Sequence, residues 1–167
     1  MLYTEPWNHV LIDNFFDKDT FKYCIKHLES IPKQQDNHTV IKDKRLINYC
    51  DNIFTEKFIK INFPNHRPYK SLESVAEVNL CSKNGYYPIH DEAPYKIITA
   101  IIYLAPRKTI GTKIFNSSKE FQFEVPWQVN RCLAFAGIDG VTWHSYKHNG
   151  NLTRVTFNYF KKYFNVL

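Results

Sequence analysis

Glycine is scarce in this chain, with five residues in 167. No Gly/Ser-rich linker divides the sequence and nothing in it repeats, so one compact domain over residues 1–167 is expected, long enough for a real core. Long apolar runs are missing too. The longest, Ile97 to Ala105, is too short to span a bilayer. The start, Met1-Leu-Tyr-Thr-Glu-Pro-Trp, has no basic region, apolar segment or small-residue cleavage site. No signal peptide and no membrane contact are therefore expected, and the sequence reads as that of a soluble, cytoplasmic protein. The four cysteines (Cys24, Cys50, Cys81, Cys132) lie far apart without a CxxC pair. A zinc site needs clustered ligands, so reduced thiols are the expectation. Arginine is thin as well: five of the 22 basic residues, with the lysines scattered. The net charge of +6, densest at Lys42, Lys44 and Arg45, reads as a solvated basic face, and nucleic acid is not expected as a partner.

Aromatic and apolar residues are abundant. The hydrophobic fraction of 44% and the aromatic set (13 Phe, 11 Tyr, 3 Trp) exclude disorder. Leu2 to Asp13 reads as an extended lead-in strand. Phe15, Phe16, Phe21, Cys24, Ile25 and Leu28 predict a helix over Asn14 to Ser30, capped by Asp17 or Asp19 and stopped at Ile31-Pro32. Residues 33–45 read as a polar loop, Leu46 to Ile61 as a second helix, and 62–69 as a connection. Beyond residue 70 the pattern turns to strands: Ser71–Ser82, Tyr86–Asp91, Lys96–Leu104, Thr112–Phe115, Phe121–Val125, Arg131–Phe135, Thr142–Ser145 and Thr153–Tyr163. Turn signals such as Asn84-Gly85, Gly137–Gly140 and Asn149-Gly150 separate them. Eight short strands after two helices predict a mainly β fold. The expected form is a jelly roll, or double-stranded β-helix, over residues 70–167, with a strand and helical flank over 1–69.

Two stretches carry the chemistry. Side chains at i and i+2 of a strand share a face, so His90 and Glu92 can reach one ion while Asp91 points away. His144, in Val141-Thr-Trp-His-Ser145, falls in the penultimate strand, which in a jelly roll runs near the second. Two histidines and one carboxylate hold Fe(II) on one face and leave its other positions open. Arg154 follows ten residues after His144, in the otherwise apolar Leu152-Thr-Arg-Val-Thr-Phe-Asn-Tyr-Phe160. A buried arginine needs an anion, and its planar fork suits a carboxylate. Thr156 shares its face. His9, His27, His38, His66 and His148 have no carboxylate at matching spacing and are read as structural or surface residues.

With these residues in place the chain resembles the Fe(II)/2-oxoglutarate-dependent oxygenases, in particular their prolyl-hydroxylase-like branch. The likeness runs through Glu5-Pro6 to Phe16, Tyr87-Pro-Ile-His90-Asp-Glu92-Ala-Pro-Tyr-Lys96, Ile101-Ile-Tyr-Leu-Ala-Pro106, Gly111-Thr112, Asn130-Arg131 to Phe135, and Trp143-His144 to Arg154-x-Thr156. The resemblance implies an enzyme that binds Fe(II) through His90, Glu92 and His144, uses O2, with ascorbate as an accessory reductant, and decarboxylates 2-oxoglutarate to succinate. It further implies hydroxylation of an unactivated carbon on a peptidyl side chain such as proline, or on a small molecule. Arg154 takes the role of the oxoglutarate arginine, Thr156 that of its hydroxyl partner, and Asn79, Tyr87 and Tyr103 those of cofactor contacts. Glu92 stands where most hydroxylases have aspartate, and Asp91 remains an alternative ligand. Asn158, Tyr159 and Phe160 occupy the stretch where the alkylated-base repair branch carries a second arginine. A cupin-type metal enzyme, which wants H-x-H where this chain has His90-x-Glu92, and a non-catalytic jelly-roll binding module are the competing readings. Oligomeric state is not legible.

Overall fold

The computed structural model describes residues 1–29, 38–82, 85–148 and 151–163. The expected stop at Ile31-Pro32 and the Asn149-Gly150 turn lie outside these residues, as does Asn84 of the other turn. In chain order the elements are β1 (Leu2–Tyr3), β2 (His9–Ile12), α1 (Lys18–Glu29), β3 (His38–Ile41), α2 (Lys44–Ile53), α3 (Glu56–Asn62), β4 (Leu72–Cys81), β5 (Tyr86–His90), β6 (Lys96–Ala105), β7 (Lys113–Phe115), β8 (Phe121–Glu124), β9 (Cys132–Ala136), β10 (His144–Lys147) and β11 (Arg154–Tyr163). The eight strands after residue 70 stand where the sequence placed them, within a few residues.

Among the described residues these strands form two antiparallel sheets, a seven-stranded one ordered β1-β2-β9-β6-β11-β4-β3 and a four-stranded one ordered β5-β10-β7-β8. This is the double-stranded β-helix. Alternation along the long strands assigns the layers. Ala76 and Val78 of β4, Ile98, Ala100 and Ile102 of β6, and Phe157 and Tyr159 of β11 turn outward to meet Phe15, Phe16, Leu46, Cys50 and Phe54 from the helical flank. The opposite face turns into the barrel, where Tyr103, Leu133 and Phe135 pack with Trp7, Ile114 and Val125. No helix of the described residues is long and apolar enough to cross a membrane.

Four expectations need correcting. The lead-in segment is two short strands rather than one, with β1 folding back on β2. The first helix begins at Lys18 because Asp17 caps it, its Oδ1 accepting from the N–H groups of Asp19 and Thr20. The second helix is broken: α2 ends at Ile53, and Thr55 then caps α3 by accepting from the Phe58 N–H at 3.2 Å. A cap inside an amphipathic run leaves the apolar period nearly intact, so periodicity alone does not reveal it. The polar stretch 33–45 also holds β3, an edge strand on β4.

Candidate active site

The two sheets open at one end onto a cavity of about 430 Å³, and His90, Glu92, His144, Asn79 and Tyr87 line it. Topology gathers them. β10 pairs with β5 so that His144 stands directly opposite His90, and the two imidazole centroids are 4.2 Å apart. Glu92 lies two residues beyond the end of β5, yet its carboxylate is buried, with Oε1 3.7 Å from His144 Nε2. Gly137 makes room for it: a Cβ there would come within 3.0 Å of Glu92 Cβ and 2.9 Å of the Lys96 carbonyl.

Both histidines are held the same way. His90 Nδ1 donates to the Pro88 carbonyl at 2.9 Å, and His144 Nδ1 to the Thr142 carbonyl at 3.0 Å. Each bond occupies Nδ1 and leaves Nε2 as the nitrogen that can coordinate, the arrangement a metal ligand needs. Burial pushes His144 down to about 4, against the opposing pull of Glu92, so this ring is neutral at pH 7. Burial raises the Glu92 carboxyl, but the attraction of His144 and of Lys96 outweighs it and the group sits below its ordinary value. The Lys96 ammonium lies 2.8 Å from Oε2 and pairs with it.

Among the described residues no group of three or more His, Cys, Asp and Glu side chains is arranged to hold a metal ion as it stands. The donor set nonetheless suits Fe(II): two Nε2 atoms, and a carboxylate that can keep one oxygen on Lys96 while offering the other. Asp91 also lines the cavity, but its Oδ2 is engaged, accepting from the Gly140 N–H at 2.8 Å. Gly140 has φ +69°, a left-handed residue at the turn that leads into His144.

Arg154 is 2% exposed, and its Nε and Nη2 have no hydrogen-bond partner. Burial lowers its pKa, with no protein carboxylate to offset the loss of water. Instead its Cζ lies 4.1 Å from the Tyr146 ring centroid, 5.1 Å from Trp127 and 5.8 Å from Tyr103. Two orphaned N–H groups on a buried cation fit a missing carboxylate. Thr156, opposite Asn79 on β4 and Tyr103 on β6, is buried on the same face. Tyr87 packs edge-on against His90 at 4.5 Å. Tyr103, by contrast, spends its hydroxyl on Thr112, donating to Oγ1 at 2.8 Å and accepting from the N–H at 3.2 Å. Arg154, Thr156 and Tyr103 do not line the cavity, although Tyr146, which does, packs on Arg154.

Sequence reasoning missed Lys96, Gly137, Trp127 and Tyr146. The Glu92–Lys96 spacing of four signals an ion pair only on a helix, and this segment is a loop running into β6. Tyr146, two residues after His144, shares its strand face and was findable by alternation.

No family model matches the sequence, and no curated protein matches it either. Solved structures do. A viral collagen prolyl hydroxylase of Paramecium bursaria Chlorella virus-1, in complex with 2OG, aligns over 94% of this chain and 96% of its own at 13% identity and a TM-score of 0.70. A Pseudomonas putida prolyl-4-hydroxylase aligns over 94% and 93% at 12% identity and 0.67. A Trichoplax adhaerens prolyl hydroxylase, in complex with a hypoxia inducible factor oxygen degradation domain peptide fragment, aligns over 92% and 83% at 13% identity and 0.68. At such identities the likeness is one of fold: this chain has the double-stranded β-helix of prolyl hydroxylases and 2OG-Fe(II) oxygenases.

Proposed function

We propose that this chain is an Fe(II)- and 2-oxoglutarate-dependent dioxygenase that hydroxylates an unactivated carbon and converts 2-oxoglutarate to succinate in the same turnover. The observation that carries the reading is the convergence of His90, His144 and Glu92 on one cavity, both rings held through Nδ1. Iron bound there supplies the redox chemistry of O2, with ascorbate as an accessory reductant. The protein supplies the rest. His90 and His144 offer Nε2, and Glu92 offers one oxygen while Lys96 holds the other. Arg154 would hold the distal carboxylate of 2-oxoglutarate through its two unpartnered N–H groups, with Thr156 and Asn79 on the same sheet face. The Tyr87 ring braces His90, and Tyr103 and Trp127, stacked 4.4 Å apart, keep water from the guanidinium. A peptidyl side chain such as proline is the proposed substrate. The peptide bound to the Trichoplax neighbour favours that class over a free small molecule.

Metal analysis and calorimetry test this reading. His90→Ala and His144→Ala are expected to lose stoichiometric divalent metal. Arg154→Met is expected to keep metal and lose 2-oxoglutarate, with Arg154→Lys restoring little because a point charge cannot make two parallel bonds. Stoichiometric metal in both histidine variants, or unchanged 2-oxoglutarate affinity in Arg154→Met, would sink it. One observation favours a binding module without chemistry instead, namely Lys96 already seated on Glu92. That reading requires wild-type protein to take up no metal at all.

A further inference from the structure

We propose that Tyr146 controls access to Arg154: its ring holds the guanidinium in the ligand-free protein, and the distal carboxylate of a 2-oxo diacid binds by displacing it. This rests on the assignment of Arg154 as the diacid anchor. Tyr146 lines the cavity and Arg154 does not, and the guanidinium carbon lies 4.1 Å from the Tyr146 ring. A carboxylate arriving from the cavity therefore meets Tyr146 before it meets Nε or Nη2, the two atoms without partners.

Of the three rings around Arg154, Tyr146 has the weakest polar tether among the described residues. Trp127 is tied by its indole N–H to the Pro106 carbonyl at 2.8 Å, and it stacks on Tyr103. Tyr103 is tied through its hydroxyl to Thr112 on both sides. The Tyr146 hydroxyl pairs with the thiol of Cys81, and sulfur is a weak hydrogen-bonding partner. Its ring stacks on Tyr87, 5.7 Å away, which also lines the cavity. The β10–β5 ladder shifts register between His144 and Tyr146, with the extra residue on β5 next to Tyr87, the ring that Tyr146 stacks on.

The consequence is a free state that competes with the ligand. A ring face on a desolvated cation holds the covered form by a factor of about ten. Apparent affinity is the intrinsic one reduced by the open fraction. A ligand that makes both fork bonds to Arg154 overcomes this factor, whereas a 2-oxo monoacid has nothing to offer in exchange.

Stopped-flow fluorescence of wild-type protein mixed with 2-oxoglutarate, with and without Mn(II), tests the proposal beside titration calorimetry. Trp127, near the guanidinium, provides the signal. Tyr146→Leu is expected to bind 2-oxoglutarate about ten-fold faster and correspondingly tighter. Tyr146→Phe, which keeps the ring face, is expected to behave as wild type. Loss of a purely structural tyrosine would weaken binding and could not accelerate it. Binding at the wild-type rate or more weakly in a folded Tyr146→Leu, judged by its melting curve, overturns the proposal. Dependence on Arg154 without dependence on Tyr146 removes this inference alone. Equal binding to Arg154→Met removes the anchor assignment, and this inference with it.

Discussion

Glu92 and Asp91 are neighbours in sequence and opposites in environment. Glu92 is buried between Lys96 and His144, while Asp91 is partly exposed and ties the Gly140 turn. Glu92→Ala is therefore expected to abolish metal binding. Asp91→Ala should cost only about 1 kcal/mol of stability, one hydrogen bond at a partly exposed site, and should retain metal. Parallel metal titration and thermal melting of the two variants decide it, and the reverse pattern would make Asp91 the ligand. Gly137→Ala acts on the same carboxylate from the other side. Its methyl would crowd Glu92 Cβ and the Lys96 carbonyl, so a loss of about 1–3 kcal/mol by overpacking is expected, together with weakened metal binding. Melting and metal titration at wild-type values would show that Glu92 moves aside freely. Spacing alone put His90, Glu92 and His144 forward together, and they do line one cavity, although Glu92 lies beyond the end of β5, where strand alternation no longer applies. Lys96 and Gly137 were not legible, because their roles depend on loop paths that no short-range pattern specifies.

Among the elements, α2 is fastened to the large sheet by one carboxylate. Asp51 accepts from Ser74 Oγ and Tyr159 Oη, both at 2.6 Å, and pairs with Lys161 at 3.1 Å. Burial raises its pKa, but these three partners outweigh it and hold the group below its ordinary value. A folded value below the unfolded one means that the contribution is complete above the ordinary carboxylate range. It is lost as pH falls through the folded value. Asp51→Asn is expected to cost about 1 kcal/mol at neutral pH, allowing for screening at a partly exposed site. The gap from wild type should close below about pH 4. Melting curves across pH check both parts; a gap that widens in acid would mean that the network does not depend on charge. The helical character of residues 46–61 could be read from Ile47, Cys50, Ile53 and Phe58, but the break at Thr55 could not. All four still pack on one core, so the apolar period runs on past the point where Thr55 caps a new helix.

For the whole molecule, the jelly roll could be read in advance because turn signals and alternating strands recur every few residues, and the order of strands then follows from the known closure of that fold. What sequence could not reveal was the depth of Arg154, which packs on Tyr146 and does not itself line the open cavity. That depends on where three aromatic rings from β6, β10 and the loop after β8 come to rest. The most direct test is to incubate purified protein aerobically with Fe(II), ascorbate and 2-oxoglutarate, with and without proline-containing peptides, and to measure succinate. Wild type is expected to form succinate only when Fe(II) and 2-oxoglutarate are both present, faster with a peptide that gains one oxygen, and His144→Ala and Arg154→Met to form none. Succinate formed equally by His144→Ala, or none from wild-type protein that has bound both metal and 2-oxoglutarate, would contradict the proposed dioxygenase.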